Sequence, residues 1–333
     1  MRALEWSDVN QMNIREYGIP ELKPGWVLLK VGYTGICGSE LSAYLGQNEL
    51  RKPPSVMGHE FAGTVVKTAS DEDSGMIGHS YSVNPLVTCG KCKFCKMGKR
   101  YLCPERKIIG VNYPGSFAEF VSVPASSCYR VEDRLYGSLV EPLATAFHAV
   151  ELSDPEPDDE VLIIGAGTIG LMTSAVMGLH GVSSITVMET NPRRLDLAKN
   201  WGANEVLNPS SSVDANSSSR KYAIVIDAVG LDVTRRTSVN SVEPGGKVIF
   251  VGLHEPNSTV PGNLIVRNEI HISGSFCYSD DDFRRSTDLI NKGFLKNHKN
   301  WFDVRDLEMG DMSFKEQLRP DSPFSKIILA SEK

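Results

Sequence analysis

Four cysteines in one short stretch constrain this chain more than any other feature of its sequence. They lie in the run CGKCKFCKMGKRYLC, with the spacing C-x2-C-x2-C-x7-C. Four thiolates this close together can surround one tetrahedral zinc ion without an outside ligand, which is the closed geometry of a structural zinc site. Basic side chains interleave the cysteines and offset the thiolate charge: Lys91, Lys93, Lys96, Lys99 and Arg100. The spacing therefore predicts a structural zinc site held by Cys89, Cys92, Cys95 and Cys103.

Two other interpretations of the cluster stay open, namely disulfides and an iron–sulfur cluster. The chain begins MRALEWSDVN, which lacks the apolar stretch of a secretory signal, and we expect a cytoplasmic protein. Clustered cysteines in a cytoplasmic chain bind metal or carry out redox chemistry more often than they form disulfides. The ferredoxin-type run closes with C-x3-C-P, whereas the fourth cysteine comes later here, so the pattern favours zinc.

The length and composition of the chain are those of an ordinary globular protein. Its 333 residues suffice for about two domains, and 41% hydrophobic with 23% charged residues is a normal composition. The net charge of −6 argues against a general affinity for nucleic acid, so we expect no nucleic-acid partner.

One uncharged segment, residues 161–179 (VLIIGAGTIGLMTSAVMGL), has the length of a membrane span. Its internal pattern is different, however, because four β-type apolar residues precede three glycines at fixed offsets and a helix-like stretch. This order predicts a strand, a turn and a helix buried in a sheet, and we expect no membrane partner.

The same segment carries a motif typical of dinucleotide binding. After a predicted buried strand at 160–164, the sequence GAGTIG matches G-x-G-x-x-G. The first glycine permits a tight turn, the second lets the backbone approach a pyrophosphate, and the third lets helix and strand pack closely. The N-terminus of the following helix favours negative charge through its free N–H groups and its dipole. The candidate cofactor-binding residues of this turn are Gly165, Gly167, Thr168, Ile169 and Gly170.

An acidic residue at the end of the next predicted strand bears on the choice of dinucleotide. Glu189 follows the strand at 184–188 and lies 19 residues beyond Gly170. A carboxylate there would hydrogen-bond the adenine ribose hydroxyls and repel a 2′-phosphate, which favours NAD over NADP. Arg193 and Arg194 weaken that preference, because a nearby arginine can accept the 2′-phosphate. We include Arg194 among the candidate cofactor-binding residues.

The remaining pattern divides the chain into an α/β part and a mostly β part. The α/β part continues with a predicted helix at 195–201 and apolar strands at 222–228, 247–251 and 270–276. Alternating strands and helices indicate a doubly wound parallel sheet of the Rossmann type. Residues 208–219, rich in Ser, Asn and Asp, predict a surface loop. Before residue 145, short β-type runs predict a compact, mostly β domain; they lie at 27–33, 61–66 and 117–123.

A second candidate metal site draws on residues from three separate stretches. Cys37 lies in GICGSE, and His59 and Glu60 lie in GHE. Glu141 lies in EPLA, where it would also suit the start of a helix. None of these residues is convincing alone, because a lone cysteine is usually buried filler and a lone histidine usually has a structural role.

In their order along the chain, these stretches resemble the zinc-dependent medium-chain alcohol dehydrogenase family. The matching segments span essentially the whole chain: GICGSE, GHEFAG, NPLVTCGKCKFC with Cys103, GSFAEFV, EPLATAFHAV, VLIIGAGTIGL and GGKVIFVG. With Glu141 in EPLA, the chain resembles the branch of sorbitol, threonine and butanediol dehydrogenases. The classical alcohol dehydrogenases have a cysteine at that position.

The resemblance implies a role for each candidate residue. Cys37 and His59 would bind a catalytic zinc. Glu60 and Glu141 would complete the coordination shell of that zinc. One would bind the zinc directly, while the other would bind or orient the water on the zinc. Ser39 would take the alcohol proton. The resemblance thus implies two Zn²⁺ ions per chain and hydride transfer between NAD, rather than NADP, and a secondary alcohol such as a polyol, sugar alcohol, cyclitol or diol.

The resemblance also implies the domain organisation. A GroES-like catalytic domain would comprise residues 1–144 and 279–333 and carry both zinc sites, with a Rossmann NAD-binding domain at 145–278. A homodimer or homotetramer is implied, with the strand at 270–276 as the dimer edge. Ser42 replaces a histidine that completes the proton relay in many relatives, so the relay would end at the cofactor ribose or at water.

Other activities stay open on the sequence alone. An L-threonine-type or sugar-phosphate dehydrogenase of the same family would use the same zinc chemistry. An NADPH-dependent quinone or enone reductase would usually lack the catalytic zinc ligands, and a non-enzymatic relative would keep only the fold. The partner is expected to be a small-molecule alcohol or ketone, whose identity depends on pocket walls that the sequence does not place.

Overall fold

The computed structural model describes residues 1–210 and 220–332. Most of the predicted surface loop at 208–219 therefore lies outside the described residues. By its internal contacts the chain divides into two units: Met1–Ala144 with Tyr278–Lys333, and Thr145–Cys277.

The secondary structure has the following bounds. The strands are β1 (Arg2–Asp8), β2 (Gln11–Glu16), β3 (Trp26–Gly35), β4 (Ser55–Val56), β5 (Glu60–Thr68), β6 (Ser80–Val83), β7 (Leu86–Val87), β8 (Lys107–Ile108), β9 (Phe120–Pro124), β10 (Cys128–Arg130), β11 (Glu160–Ile164), β12 (Ser184–Met188), β13 (Glu205–Leu207), β14 (Tyr222–Asp227), β15 (Val242–Phe250), β16 (His271–Gly274), β17 (Phe302–Asp306) and β18 (Lys326–Ala330). The helices are α1 (Gly38–Tyr44), α2 (Lys93–Lys96), α3 (Arg134–Gly137), α4 (Val140–Ser153), α5 (Thr168–Leu179), α6 (Pro192–Asn200), α7 (Asp232–Ser241), α8 (Gly262–Arg267), α9 (Asp280–Asn291) and α10 (Gly310–Gln317).

Six parallel strands form the sheet of the second unit, in the order β13-β12-β11-β14-β15-β16. The central strand β11 reads EVLII and is buried at four of its five residues, as expected of a parallel strand covered on both faces. The strand order reverses between β11 and β14, and the carboxyl ends of strands at such a reversal are where α/β sheets bind ligands. This arrangement confirms the predicted doubly wound Rossmann sheet.

The first unit is built mainly from antiparallel strands. Its largest sheet has seven strands, in the order β10-β6-β5-β3-β18-β17 with β9 also pairing β3, and two smaller sheets join β2-β1-β4 and β7-β8. Strand β18, from the end of the chain, pairs antiparallel with β3, so that Ile328 lies opposite Gly35. The mostly β character predicted for the region before residue 145 is confirmed.

Several predicted boundaries differ from the observed ones for local physical reasons. Helix α6 begins at Pro192 rather than at residue 195, because Asn191 caps it and proline suits the first helical position. Strand β9 begins at Phe120 rather than at residue 117, since the chain before it makes only an isolated bridge between Ala3 and Ala118. Strand β15 begins at Val242 because its pairing with β14 continues through an irregularity.

The uncharged segment 161–179 is divided between β11, a turn and the twelve-residue helix α5. Within residues 1–210 and 220–332, no helix is both long enough and apolar enough to cross a membrane.

Candidate active site and metal centres

The four cysteines of the run converge on one point. Their Sγ atoms lie 3.5 Å apart for Cys92 and Cys95, 3.6 Å for Cys89 and Cys103, and 3.9 Å for Cys89 and Cys95. Zinc–sulfur bonds of about 2.3 Å in a tetrahedron place sulfurs about 3.8 Å apart, so this donor set fits a single zinc ion. None of these four cysteines forms a disulfide, since a disulfide needs sulfurs about 2.05 Å apart.

The local backbone prepares these thiols for a metal. Backbone N–H groups of Lys91 and Cys92 lower the pKa of Cys89 to about 7, which favours the thiolate. Burial raises the pKa of Cys103 to about 11, and a coordinated cation would displace its proton. Helix α2 begins directly after Cys92 and carries Cys95, so one turn of helix brings these two sulfurs together.

Three of the four predicted ligands of the second metal site also lie together. One ligand atom from each of Cys37, His59 and Glu60 lies within 4.8 Å of the other two. Strands β3 and β5 pair with Gly35 opposite Glu60, and Cys37 follows two residues later as the N-cap of α1. Thiolate, imidazole and carboxylate are all donors that zinc accepts, so the set fits an open zinc site.

A buried glutamate that the motif pattern did not single out orients His59. Glu40 is fully buried, its Oε1 lies 2.7 Å from His59 Nδ1, and its carboxylate accepts hydrogen bonds from two backbone N–H groups. Because Nδ1 is engaged with Glu40, the His59 Nε2 lone pair is free for a metal. Burial opposes ionisation, but His59, Arg51 and the Cys37 N–H together lower the pKa of Glu40.

The signal for Glu40 was present in the sequence. It lies three residues after Cys37, which is the spacing of a capping box at a helix N-terminus, and its side chain accepts from the Cys37 N–H at 2.9 Å.

Glu60 pairs with a second residue that the motifs did not indicate, Lys326. Both side chains are only 2% exposed. Burial lowers the pKa of Lys326, but the adjacent Glu60 outweighs that effect and raises it, so the ammonium stays charged. Gly35 is required here, because a Cβ at that position would collide with both partners. The sequence feature that could have indicated this pair is the lysine in the otherwise apolar strand KIILA.

Glu141, the fourth predicted ligand, lies outside the three-residue group. It lies in the first turn of α4, is 8% exposed and accepts a hydrogen bond from the Tyr278 hydroxyl at 3.0 Å. Burial and the charge of Glu60 raise the pKa of Glu141 to about 7, although His59 and Tyr278 act in the opposite direction. Tyr278 is a further site residue that no local motif indicated.

The predicted relay residue Ser39 lies beside the candidate metal ligands. Its Oγ lies 3.5 Å from Cys37 Sγ and accepts a hydrogen bond from Arg51 Nη1 at 3.2 Å. Ser42, which replaces the relay histidine of many relatives, donates instead to the carbonyl of Gly38 at 3.2 Å. Its hydroxyl is therefore engaged by the backbone of its own helix.

The glycine-rich turn has the form that dinucleotide binding requires. Gly165 has φ +97°, in the region that only glycine adopts easily, and a Cβ on Gly170 would collide with the Gly165 carbonyl. A Cβ on Gly167 would meet no atom within 4 Å. Thr168 and Ile169 form the first turn of α5 directly after it. The backbone at Gly167 is therefore open to a bound pyrophosphate.

These glycines give a matched pair of substitutions. We expect Gly167→Ala to leave the melting temperature unchanged while weakening NAD binding at least tenfold, because the new methyl group occupies only the space of the pyrophosphate. Gly170→Ala should instead lower the melting temperature by several degrees, since its methyl group collides with backbone. Thermal unfolding without cofactor and NAD titration by calorimetry separate the two effects. An equal loss of stability in both variants would contradict this interpretation.

Glu189 and Arg194 lie where the cofactor ribose is expected. Glu189 is 9% exposed; one oxygen accepts from the Ala166 N–H at 2.8 Å and the other from the N–H groups of Thr190 and Asn191. Its carboxylate therefore also holds the glycine-rich turn. Arg194 lies in the first turn of α6, and among the described residues its buried Nε has no hydrogen-bond partner.

Comparison with known proteins agrees with this geometry. Residues 23–133 match the family "Alcohol dehydrogenase GroES-like domain", and residues 168–292 match the family "Zinc-binding dehydrogenase". A probable D-xylulose reductase A of Aspergillus clavatus is 31% identical over 326 residues, covering 92% of this chain and 89% of the relative. An L-idonate 5-dehydrogenase of Vitis vinifera is 30% identical over 321 residues, covering 90% and 87%.

A crystal structure from Escherichia coli CFT073, described as a short chain alcohol dehydrogenase complexed with NADH, superposes with a TM-score of 0.90 at 28% identity, covering 99% of each chain. The chain belongs to the zinc-dependent medium-chain dehydrogenase family, in the branch that contains the polyol dehydrogenases. It is accordingly an oxidoreductase of CH–OH groups that uses zinc and a nicotinamide dinucleotide.

Proposed function

We propose that this chain is a polyol dehydrogenase that transfers hydride between a secondary alcohol and NAD. The observation that carries the proposal is the meeting of Cys37, His59 and Glu60 within 4.8 Å, with Glu40 orienting the imidazole. The relatives named for D-xylulose and L-idonate support a polyhydroxylated substrate. When bound, zinc supplies Lewis acidity and NAD supplies the hydride acceptor.

Cys37 and His59 are the proposed protein ligands of the catalytic zinc. Two carboxylates complete the donor set, and each has its own partner: Glu60 is held by Lys326, and Glu141 is held by the Tyr278 hydroxyl. Ser39 is the proposed acceptor of the alcohol proton, because its hydroxyl lies beside the candidate ligands. Its contact with Cys37 Sγ holds that hydroxyl beside the residues that would bind the zinc.

The second zinc of the proposal is structural and is held by the four-cysteine cluster. We assign both zinc sites to a catalytic domain of residues 1–144 and 279–333, and the dinucleotide to a domain of residues 145–278. Edge strand β16 supports a homo-oligomer, because no strand among residues 1–210 and 220–332 pairs with its outer side and the apolar Leu253 and Val266 are more than 70% exposed in the same unit. The cytoplasmic location stays a prediction.

Glu189 offers a test of cofactor preference. We expect Glu189→Gln to weaken NAD binding about threefold to tenfold and to narrow its advantage over NADP, because the amide no longer repels a 2′-phosphate. Glutamine keeps one acceptor oxygen for the N–H groups of Thr190 and Asn191 and loses only the hydrogen bond from the Ala166 N–H. Dissociation constants of both dinucleotides, measured by fluorescence titration, give the ratio. An unchanged ratio would count against the ribose contact.

Metal analysis and a substrate panel test the proposed function directly. Two zinc ions per chain by plasma emission spectrometry fit the dehydrogenase, whereas a reductase of double bonds or an inactive relative fits one. The panel pairs NADH and NADPH with D-xylulose, and NAD and NADP with L-idonate, sugar alcohols, vicinal diols, sugar alcohol phosphates and L-threonine, followed at 340 nm. Activity with none of these compounds, or reduction only of an enone or quinone tested beside them with NADPH, would overturn the proposal.

A further inference from the structure

One buried arginine, Arg51, contacts both the proposed proton acceptor Ser39 and the proposed zinc ligand His59. Arg51 lies in the loop between α1 and β4, and it is 7% exposed. Its Nη1 donates to the Ser39 hydroxyl at 3.2 Å and to the Ser39 carbonyl at 3.3 Å, while its Nε donates to the Gly110 carbonyl at 3.2 Å. Its Nη2 lies 3.4 Å from His59 Nδ1, which is already engaged with Glu40. A guanidinium anchored through both Nη1 and Nε is a rigid group.

The contact with the Ser39 hydroxyl has a specific geometric effect. A serine hydroxyl offers one proton and two lone pairs, and the Arg51 guanidinium can only donate. Arg51 therefore occupies one lone pair of Oγ permanently. The O–H donates to Cys37 Sγ at 3.5 Å, so one lone pair of Oγ remains to accept a proton.

We infer that Arg51 is the positioning residue of the proton pathway in this enzyme: it fixes the rotamer of Ser39 so that the free lone pair is presented to the substrate hydroxyl. In the transfer, the O–H bond of the alcohol breaks and a new bond forms at Ser39 Oγ. The proton that Ser39 carried would leave to water. The electron pair of the broken O–H bond would become the second carbon–oxygen bond as the C–H bond breaks and its pair leaves as hydride for the nicotinamide. The inference rests on the proposed dehydrogenase function.

The surroundings support a role beyond simple charge balance. Arg51 does neutralise part of the buried Glu40, whose pKa it helps to lower. Charge balance alone would be satisfied by any cation at this position, including lysine. Nη1 makes both hydrogen bonds to Ser39 while Nε donates to the Gly110 carbonyl. Holding both anchors at once needs the planar fork of arginine, since the lysine ammonium is a point charge on a flexible stem. Ser42, engaged by its own helix, supplies no competing contact that the structure describes.

The chain offers a matched control. Asn48 also contacts Ser39, but its Nδ2 donates only to the Ser39 carbonyl, at 3.3 Å. A substitution of Asn48 therefore disturbs the same residue without touching its hydroxyl. We expect Asn48→Ala to change the rate of hydride transfer less than twofold.

A double-mutant cycle between Arg51→Lys and Ser39→Ala tests the inference. With D-xylulose and NADH in single-turnover stopped flow, we expect Arg51→Lys to slow hydride transfer about tenfold in the parent enzyme and less than twofold in the Ser39→Ala background. Zinc content and NADH affinity should stay at parental values in the lysine variant. An equal fold-loss in both backgrounds would overturn the inference, because Arg51 would then act independently of Ser39.

A second measurement tests the role of Arg51 without turnover. It applies even if the parent enzyme turns over none of the tested compounds, a result that would refute the proposed function but not the role of Arg51. In crystals of the zinc- and NAD-loaded Arg51→Lys variant, we expect the Ser39 side chain to occupy more than one rotamer while Cys37 and His59 keep their positions. A single Ser39 rotamer, unchanged from the parent, would overturn the inference.

Discussion

Replacing Cys37 with alanine is expected to lower turnover by three orders of magnitude or more, because the open metal site loses its only sulfur ligand among the described residues. Zinc content should fall from two ions per chain to about one, since the four-cysteine cluster shares no ligand with this site. Dinucleotide affinity should survive, because the glycine-rich turn lies in the other unit. Plasma emission spectrometry, NADH titration and initial rates with D-xylulose measure the three quantities.

Cys128 provides the matched control for that substitution. It is partly buried, lies outside both metal groups and packs against a hydrophobic cluster, and its thiol donates a weak hydrogen bond to the Pro124 carbonyl at 3.7 Å. Cys128→Ala should therefore keep two zinc ions per chain and nearly full activity. Retained turnover in Cys37→Ala, or loss of both zinc ions, would remove the role assigned to Cys37.

Lys326→Met is expected to lower the free energy of unfolding by about 3–5 kcal/mol, because it leaves the buried carboxylate of Glu60 without its counter-charge. The raised pKa of Lys326 means that this stabilisation is fully present below the pKa of lysine in the unfolded chain. It is lost only as pH rises through the still higher folded-state value. Urea denaturation at pH 7, monitored by circular dichroism after removal of metal by chelation, gives the free energy without a competing cation at Glu60.

Two further variants make the Lys326 result specific. Lys315→Met removes an ion pair with Asp311, where the lysine side chain is 60% exposed, and should cost less than about 1 kcal/mol. Adding Glu60→Gln to Lys326→Met should restore part of the lost stability, because an amide leaves no unpaired charge. Equal losses of unfolding free energy for Lys326→Met and Lys315→Met would show that the buried pair contributes no more to stability than the exposed one.

The parts of the site that sequence predicts well are those whose residues are neighbours along the chain. Cys89, Cys92 and Cys95 define their zinc geometry by spacing alone, and the glycine-rich turn defines its conformation by backbone limits that only glycine meets. In these places local chemistry determines local structure. Strand β11 accordingly has the bounds that the sequence predicts, and a helix follows the glycine turn as predicted.

The parts that sequence did not reveal depend on pairing between distant strands. Lys326 reaches Glu60 only because β18 returns to pair with β3, and Tyr278 reaches Glu141 only because the chain re-enters the first unit at that residue. No short-range pattern specifies either contact. Glu40 is intermediate, because its spacing from Cys37 is local whereas its partner His59 lies 19 residues further on, directly before β5.

The return of β18 has a consequence for biogenesis. The ribosome synthesises the chain from its N-terminus. The four-cysteine cluster can therefore bind its zinc ion as soon as residues 89–103 have emerged, long before synthesis ends. The ammonium that neutralises Glu60 arrives more than two hundred residues later. A nascent chain thus acquires its stabilising metal early, while the reactive centre reaches its finished electrostatic state only when the last strand has joined the sheet.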